Sequence, residues 1–240
     1  MELKSVFAAY GERPFLFMWT SVLYVFFSLV VFFATIGILL FSSLALFLIG
    51  YPLSFENNIS LALYGVALFI SLLFLVYMNG CITAATVYAL KKALNGSPVS
   101  LVDFYHYGLS RGPMMFSIGI LRDFFMFITI GVGVAVYFYG LQNFEYGIHL
   151  LVGYSAIVFF FFHLLTKPGL IACGLGDKPF EAFKRLYTTF VKNHIYFLLM
   201  FCAYAFVWLL NFVPLLQFIS LLVLYPLSYS ALVKMVDETK

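Results

Sequence analysis

The stretch RPFLFMWTSVLYVFFSLVVFFATIGILLFSSLALFLIGYPLSFE, residues 13–56, opens on an arginine, closes on a glutamate and carries no charge at the 42 positions between them. A helix crossing the hydrocarbon of a bilayer needs about 20 mostly apolar residues. The run is therefore long enough for one tilted or bent span, or for two very short ones. Further charge-free runs follow: 34 residues between Glu56 and Lys91, 21 between Asp123 and Glu145, 21 between Glu145 and Lys167, and 41 between Lys192 and Lys234. Asn211, Pro214 and Gln217 interrupt the last one near its middle and predict a tight turn there. Six spans result, at roughly 15–49, 59–79, 114–139, 147–167, 195–212 and 215–233.

The composition of the 240 residues agrees, with 64% hydrophobic, 10% charged and a mean hydropathy of +1.05, where a soluble domain carries roughly 25% charged residues. A soluble globule is excluded. Charge placement then decides between one span and two in the opening run. With one span there, Lys4 and Arg13 precede span one, and Lys91, Lys92 and Arg111 follow span two. Lys178, Lys184, Arg185 and Lys192 follow span four, and Lys234 and Lys240 follow span six. The opposite loops, 50–58, 140–146 and 211–217, hold Glu56 and Glu145 and neither Lys nor Arg. Basic loops stay in the cytoplasm, which predicts six spans in the plasma membrane with both termini cytoplasmic. Splitting the first run would carry Lys91 and Lys92 outside.

The net charge of +3 accordingly records orientation and contact with anionic head groups, not affinity for nucleic acid. Residues 1–13 lack the small-residue cleavage site of a signal peptide, so no leader is expected to be removed. Cys81, Cys173 and Cys202 fall in or near spans toward the cytoplasmic side, with spacings that suggest neither disulfides nor zinc. The sequon Asn58-Ile59-Ser60 is on the outer side but hugs the membrane.

A unit recurs three times. Leu3, Val6, Phe7 and Tyr10 follow the i, i+3, i+4, i+7 pattern, as do Leu101, Phe104, Tyr105 and Gly108, and Phe183, Leu186, Tyr187 and Phe190. The opposite faces carry Glu2, Lys4, Ser5 and Glu12, then Asp103 and His106, then Glu181, Lys184, Arg185, Thr188 and Lys192. These patterns predict short amphipathic helices in the cytoplasmic interface, each feeding an outward span. The returning spans are expected to break near their cytoplasmic ends, at Asn79 and Gly80, at Pro168 and Gly169, and at Tyr225 and Pro226. Small or polar residues follow each break, at 81–86, 170–174 and 228–231. The fold class is thus an all-α, polytopic membrane bundle in one integral domain, with units at about 1–95, 96–176 and 177–240.

The stretch Gly80-Cys81-Ile82-Thr83-Ala84-Ala85-Thr86-Val87-Tyr88-Ala89-Leu90-Lys91-Lys92, followed by Gly96 and Phe104, resembles YesL-like small six-span prokaryotic membrane proteins. In those proteins a small-residue stretch precedes a basic turn and an interfacial helix. Ala182-Phe183-Lys184-Arg185 leading into a span, with Pro226 closing the last one, is also similar to the membrane domain of some bacterial glycerophosphodiester phosphodiesterases. The chain departs from the YesL-like pattern at Gly80, where a proline is usual, and in its longer first span and 50–58 loop. The resemblance implies a fold and an association with sugar uptake systems. It transfers no catalytic residue.

Ionisable groups inside a membrane are costly and become functional candidates by default. Arg122 and Asp123 are the clearest. Neighbours on a helix point in different directions, so each is expected to need its own partner. His163 and Lys167 share one face of span four beside Pro168, and Asp123 with Lys167 or His163 is the expected pair. The bland alternatives are a structural ion pair between spans three and four, or Arg122 snorkelling to head groups. Asn79, Gly80, Thr83, Pro168 and Pro226 are kink and cavity candidates. They would line a cytoplasm-facing cavity if the three kinks converge, although repair of freed carbonyls explains Asn79 and Thr83 equally well. Gly174-Leu175-Gly176-Asp177 matches the Gly-x-Gly-Asp string of intramembrane aspartyl proteases, but Asp177 falls in a joint beside Lys178 and Pro179, away from a second carboxylate. His106, His149 and His194 occur singly, and no metalloprotease, nucleophile-elbow or phosphate-loop motif occurs. Neither cofactor nor metal is expected. The partners expected are the lipid bilayer and a transporter or other protein at the cytoplasmic face. The leading functional expectation is a non-enzymatic transport-accessory or partner-binding subunit, and the second is a small transporter or channel.

Overall fold

The charge-free run that opens the chain folds as one uninterrupted helix. After a short α1 (Leu3–Glu12), α2 occupies Pro14–Leu48, with proline in its first turn where a missing N–H costs nothing. Its 35 residues rise about 1.5 Å each, more than the hydrocarbon thickness requires. The computed structural model describes residues 3–52, 58–141, 144, 146–210 and 214–238, so Glu56, Glu145 and Asn211 lie outside the described residues. α3 spans Asn58–Leu94 and α4 spans Leu101–Val136, with a π-helical turn, Tyr137–Leu141, after it. α5 (Gly147–Leu165), α6 (Lys167–Gly174), α7 (Pro179–Leu210), α8 (Pro214–Ile219) and, beyond a second π-helical turn at Ser220–Leu224, α9 (Tyr225–Asp237) complete the order. Among the described residues there is no strand, and four segments are long and apolar enough to cross a membrane: Pro14–Leu48, Asn58–Leu94, Leu101–Gly140 and Leu216–Asp237.

Three sequence expectations are corrected. α3 runs straight through Asn79 and Gly80 without a break, because Gly80 serves helix contact: a Cβ there would stand 3.0 Å from the Met115 Cβ of α4. Pro214 and Gln217 belong to a helix, α8, so that between the end of α7 at Leu210 and the start of α8 the expected turn falls on 211–213, outside the described residues. Of the three interfacial segments only α1 is a separate helix. Those at 101–108 and 183–190 are the first turns of α4 and α7, which continue into the spans without a break, α4 running on through Pro113. The break at Pro168 is real, with α5 ending at Leu165 and α6 starting at Lys167, and the break near Pro226 takes the form of the π-helical turn ahead of α9.

Three helix ends share one geometry. Gly50, Gly96 and Gly176 have φ of 88°, 77° and 113°, the left-handed region that glycine enters without a Cβ penalty. At each, the next residue's N–H reaches back to a carbonyl of the last turn: Tyr51 to Leu46, Ser97 to Lys92, Asp177 to Ala172, at 2.9, 2.9 and 3.0 Å. This motif satisfies carbonyls that the helix leaves open.

α2, α3 and α4 pack antiparallel in sequence order. Trp19 Nε1 donates to Val99 O at 3.0 Å and Tyr64 Oη to Ser43 O at 3.2 Å, tying both ends of the α2–α3 pair. Gly108, Gly112 and Gly119 form one face of α4 that lies on Ala85, Cys81 and Val76 of α3. Small residues let membrane helices approach closely where lipid supplies little hydrophobic drive. The core is concentrated at the end of the bundle where α1, the last turns of α3, α6 and α9 meet, with Phe17, Leu90, Ile171, Tyr229 and Met235 almost fully buried. Toward the other end Phe33, Leu40, Phe41, Phe69 and Phe127 stand exposed, as side chains suited to lipid contact do.

Candidate functional site

The three small-residue stretches do come together. α3, α6 and α9 contact one another, and every residue of α6 from Lys167 to Gly174 is buried. Gly174 lets α6 seat on α3, since a Cβ there would lie 2.9 Å from the Val87 Cβ. Ala84, Val87, Ile171, Cys173 and Tyr229 are fully enclosed at this junction. The convergence is filled with side chains.

Pro168 and Pro226 both occupy the first turns of buried helices, α6 and α9, and Tyr225 beside Pro226 stacks on Tyr24 with ring centroids 5.2 Å apart. Asn79 is exposed on α3, and the Thr83 hydroxyl donates to its carbonyl at 2.8 Å. That bond lies within a continuous helix, as do those of Thr20, Thr35, Ser71, Thr86 and Thr129 to the carbonyls four residues before them. These six hydroxyls are thus turned back on their own backbones.

Arg122 and Asp123 neutralise each other, contrary to the expectation from helix geometry. Arg122 Nε lies 2.7 Å from Asp123 Oδ1, both side chains being mostly buried. The long guanidinium stem curls around the helix, which a count of Cβ directions ignores. Lys167 is 8% exposed and sits with its ammonium 5.4 Å from the Tyr229 ring centre, a cation–π contact between α6 and α9. The charge of Arg122 acts on Lys167 across the contact between α4 and α6. Arg122, Asp123 and Lys167 thus share one region, with Tyr229 as the unforeseen member. The His163 side chain lies outside the described part of the structure. Among the described residues no group of three or more His, Cys, Asp or Glu side chains gathers around a common point.

The strongest polar construction lies in the joint after α6. Arg185 grips Asp177 side-on, Nε to Oδ2 at 2.7 Å and Nη2 to Oδ1 at 2.9 Å, with both side chains more than nine-tenths buried. Arg185 is therefore not on the solvent face of the segment, as its charge suggested. Ala182, Arg185 and Thr189 face the protein, while Phe183, Tyr187 and Phe190 look outward. Tyr107 Oη donates to Gly174 O at 2.6 Å, and Arg111 reaches the Gly176 carbonyl at 3.5 Å. The joint after α3 repeats the arrangement, because the Arg13 guanidinium lies where a Cβ of Gly96 would sit. The only sequence sign of this clamp was the Gly176-Asp177 pair ahead of Pro179.

Cys173 lies under the clamp, fully buried at the end of α6. Burial, and then the negative charge of Asp177, push its thiol up to about 12, with Arg111 acting in the opposite direction. The thiolate is the reactive form. At pH 7.5 the expected result is that a membrane-permeant maleimide leaves Cys173 unlabelled in detergent-solubilised protein and labels it once SDS is added. Mass spectrometry of the peptides reads this directly, and labelling of the folded protein as fast as of the denatured one would contradict the burial. Since folding raises this pKa, its contribution to stability is complete below the ordinary thiol value near 8.5 and declines as pH rises above it.

The fold and the site together define an all-helical protein with helices suited to a membrane and, among the described residues, with Arg122 paired to Asp123 and Arg185 to Asp177. Comparison of the chain with protein-family models, with curated proteins and with solved structures finds no match.

Proposed function

We propose that this is a non-enzymatic, six-span protein of the plasma membrane, built from three units of interfacial segment plus two membrane helices, and that it acts as a partner-binding or transport-accessory subunit with both termini in the cytoplasm. The observation that carries this reading is the solid junction of α3, α6 and α9. A transporter built on broken helices needs an open site where they cross, and here Ala84, Ile171 and Tyr229 fill that position at 0% exposure. The back-bonded hydroxyls of Thr35 and Thr86 and the Arg122–Asp123 pair support the same view, because these polar groups are already engaged within the protein. The six-span count draws on α5 and α7, of 19 and 32 residues, beside the four long apolar segments. The threefold unit draws on the matched joints, each a positive-φ glycine with an arginine lying against it. Kinship with YesL-like proteins belongs to the same proposal and rests on residues 80–92.

Asp103, His106, Lys178, Glu181 and Lys184 are exposed at the starts of α4 and α7 and form the surface a cytoplasmic partner would meet. The test has two arms. A photo-crosslinker placed at Lys184 or His106 in living cells is expected to give a discrete protein adduct, while one at Phe33 gives none. Purified protein in liposomes is expected to move neither protons nor sugar. Robust flux without an adduct would overturn the accessory reading in favour of a small transporter or channel.

A further inference from the structure

A cavity of about 260 Å³ opens at the basic end between α1, α3 and α9. Its polar lining is Ser5, Lys91, Asn95, Lys234, Asp237 and Glu238. That volume is below the range of drug-sized sites, so it suits a small group. Among the described residues, two ammonium and two carboxylate groups line it, with no net charge between them. A purely anionic ligand would leave the carboxylates opposed to it, and a purely cationic one would oppose the lysines. A ligand carrying one charge of each sign meets an opposite partner at both ends.

The existing pairs are easily exchanged. Lys91 bonds Asp237 at 2.9 Å and Lys234 lies 3.9 Å from Glu238, with the four side chains between 27% and 41% exposed. Ion pairs this open contribute little by themselves. Lys234 also donates to the Ser5 hydroxyl, which ties α9 to α1 across the cavity. The cavity lies at the C-terminal ends of two segments suited to the membrane, Asn58–Leu94 and Leu216–Asp237, and Phe7 of neighbouring α1 is 57% exposed, a placement that suits a lipid headgroup. Among the described residues no aromatic side chain lines the cavity. A quaternary ammonium is held by aromatic faces, whereas a primary ammonium donates hydrogen bonds to carboxylates.

We propose that this cavity binds a phosphate ester bearing a primary ammonium, the phosphate on Lys91, Asn95 and Lys234 and the ammonium on Asp237 and Glu238. Phosphatidylethanolamine and free phosphoethanolamine share that chemistry. The test uses the whole protein in nanodiscs of equal phosphatidylethanolamine, phosphatidylcholine and phosphatidylglycerol, with the retained lipids read by native mass spectrometry after release into mild detergent. Exchange of weak internal pairs for charge-assisted bonds to the ligand predicts about tenfold enrichment of phosphatidylethanolamine. The enrichment is expected to vanish in Lys234→Gln and also in Ala9→Leu, which fills the cavity without removing a charge. Equal retention of the three lipids, a preference for phosphatidylglycerol, or enrichment that survives both variants would overturn the proposal. Millimolar phosphoethanolamine that displaces the lipid upholds the chemistry and makes the free ester a ligand as well. Failure to displace it upholds the lipid alone.

Discussion

Asp177→Ala is expected to lower stability by about 3–5 kcal/mol, because it leaves the Arg185 guanidinium buried without its counter-charge. The two-pronged geometry, at 2.7 and 2.9 Å, means that Arg185→Lys restores the charge but not the second bond. That variant should fall between wild type and Arg185→Ala. The double variant Asp177→Leu, Arg185→Met should recover most of the loss, since a matched apolar pair avoids desolvating two ions. Thermal unfolding in detergent measures the series, and Cys173 labelling gives a local readout, because the clamp closes the joint above that thiol. Equal stability of Asp177→Ala and wild type would show that the pair does not hold α7 to the joint.

Gly108 carries the second large effect. A Cβ there would come 2.7 Å from the Cys81 carbonyl oxygen, a backbone atom of α3 that cannot swing aside. Gly108→Ala is expected to cost about 1–3 kcal/mol by overpacking, and Gly108→Leu to prevent accumulation of folded protein by forcing α4 off α3. At Gly112 the obstacle is the Cys81 sulfur, a side-chain atom, so Gly112→Ala should be milder. Gly37→Ala and Gly65→Ala, with nothing within 4 Å, serve as controls. They should be neutral or gain up to about 1 kcal/mol of helix propensity. Size-exclusion profiles and melting temperatures of the solubilised variants give the comparison, and a Gly108→Ala protein as stable as Gly65→Ala would refute the contact.

The glycines show where sequence reading stopped short. Gly80 beside Asn79 has the composition of a kink, and in the fold it is a contact surface under Met115. Gly96 and Gly176 fall at the unit boundaries read from the sequence, and in the fold each ends a helix with positive φ and a back-reaching hydrogen bond. Local chemistry carries the second kind of information and not the first, because a glycine that admits a neighbour is defined by the neighbour. Charges divide in the same way. Lys167 was singled out by its apolar surroundings, yet its cation–π contact with Tyr229 joins positions 62 residues apart. Arg185 was assigned to solvent because it is charged, and the fold buries it because Asp177 waits in the preceding joint.

The sequence by itself determined that this chain is helical and suited to a membrane, for a simple reason: charge-free runs of 42, 34 and 41 residues exceed what a bilayer core requires, and only backbone paired within a helix or a closed barrel is stable there. The placement of the basic residues favoured one span in the first run, and the fold has one uninterrupted helix there, Pro14–Leu48. Only the tertiary structure decided which of the few polar groups satisfy one another and whether the three convergent stretches enclose space. Those outcomes depend on distances between segments far apart in the chain, such as the 2.9 Å from Lys91 to Asp237, and on how completely Val87, Ile171 and Tyr229 fill the gap between them.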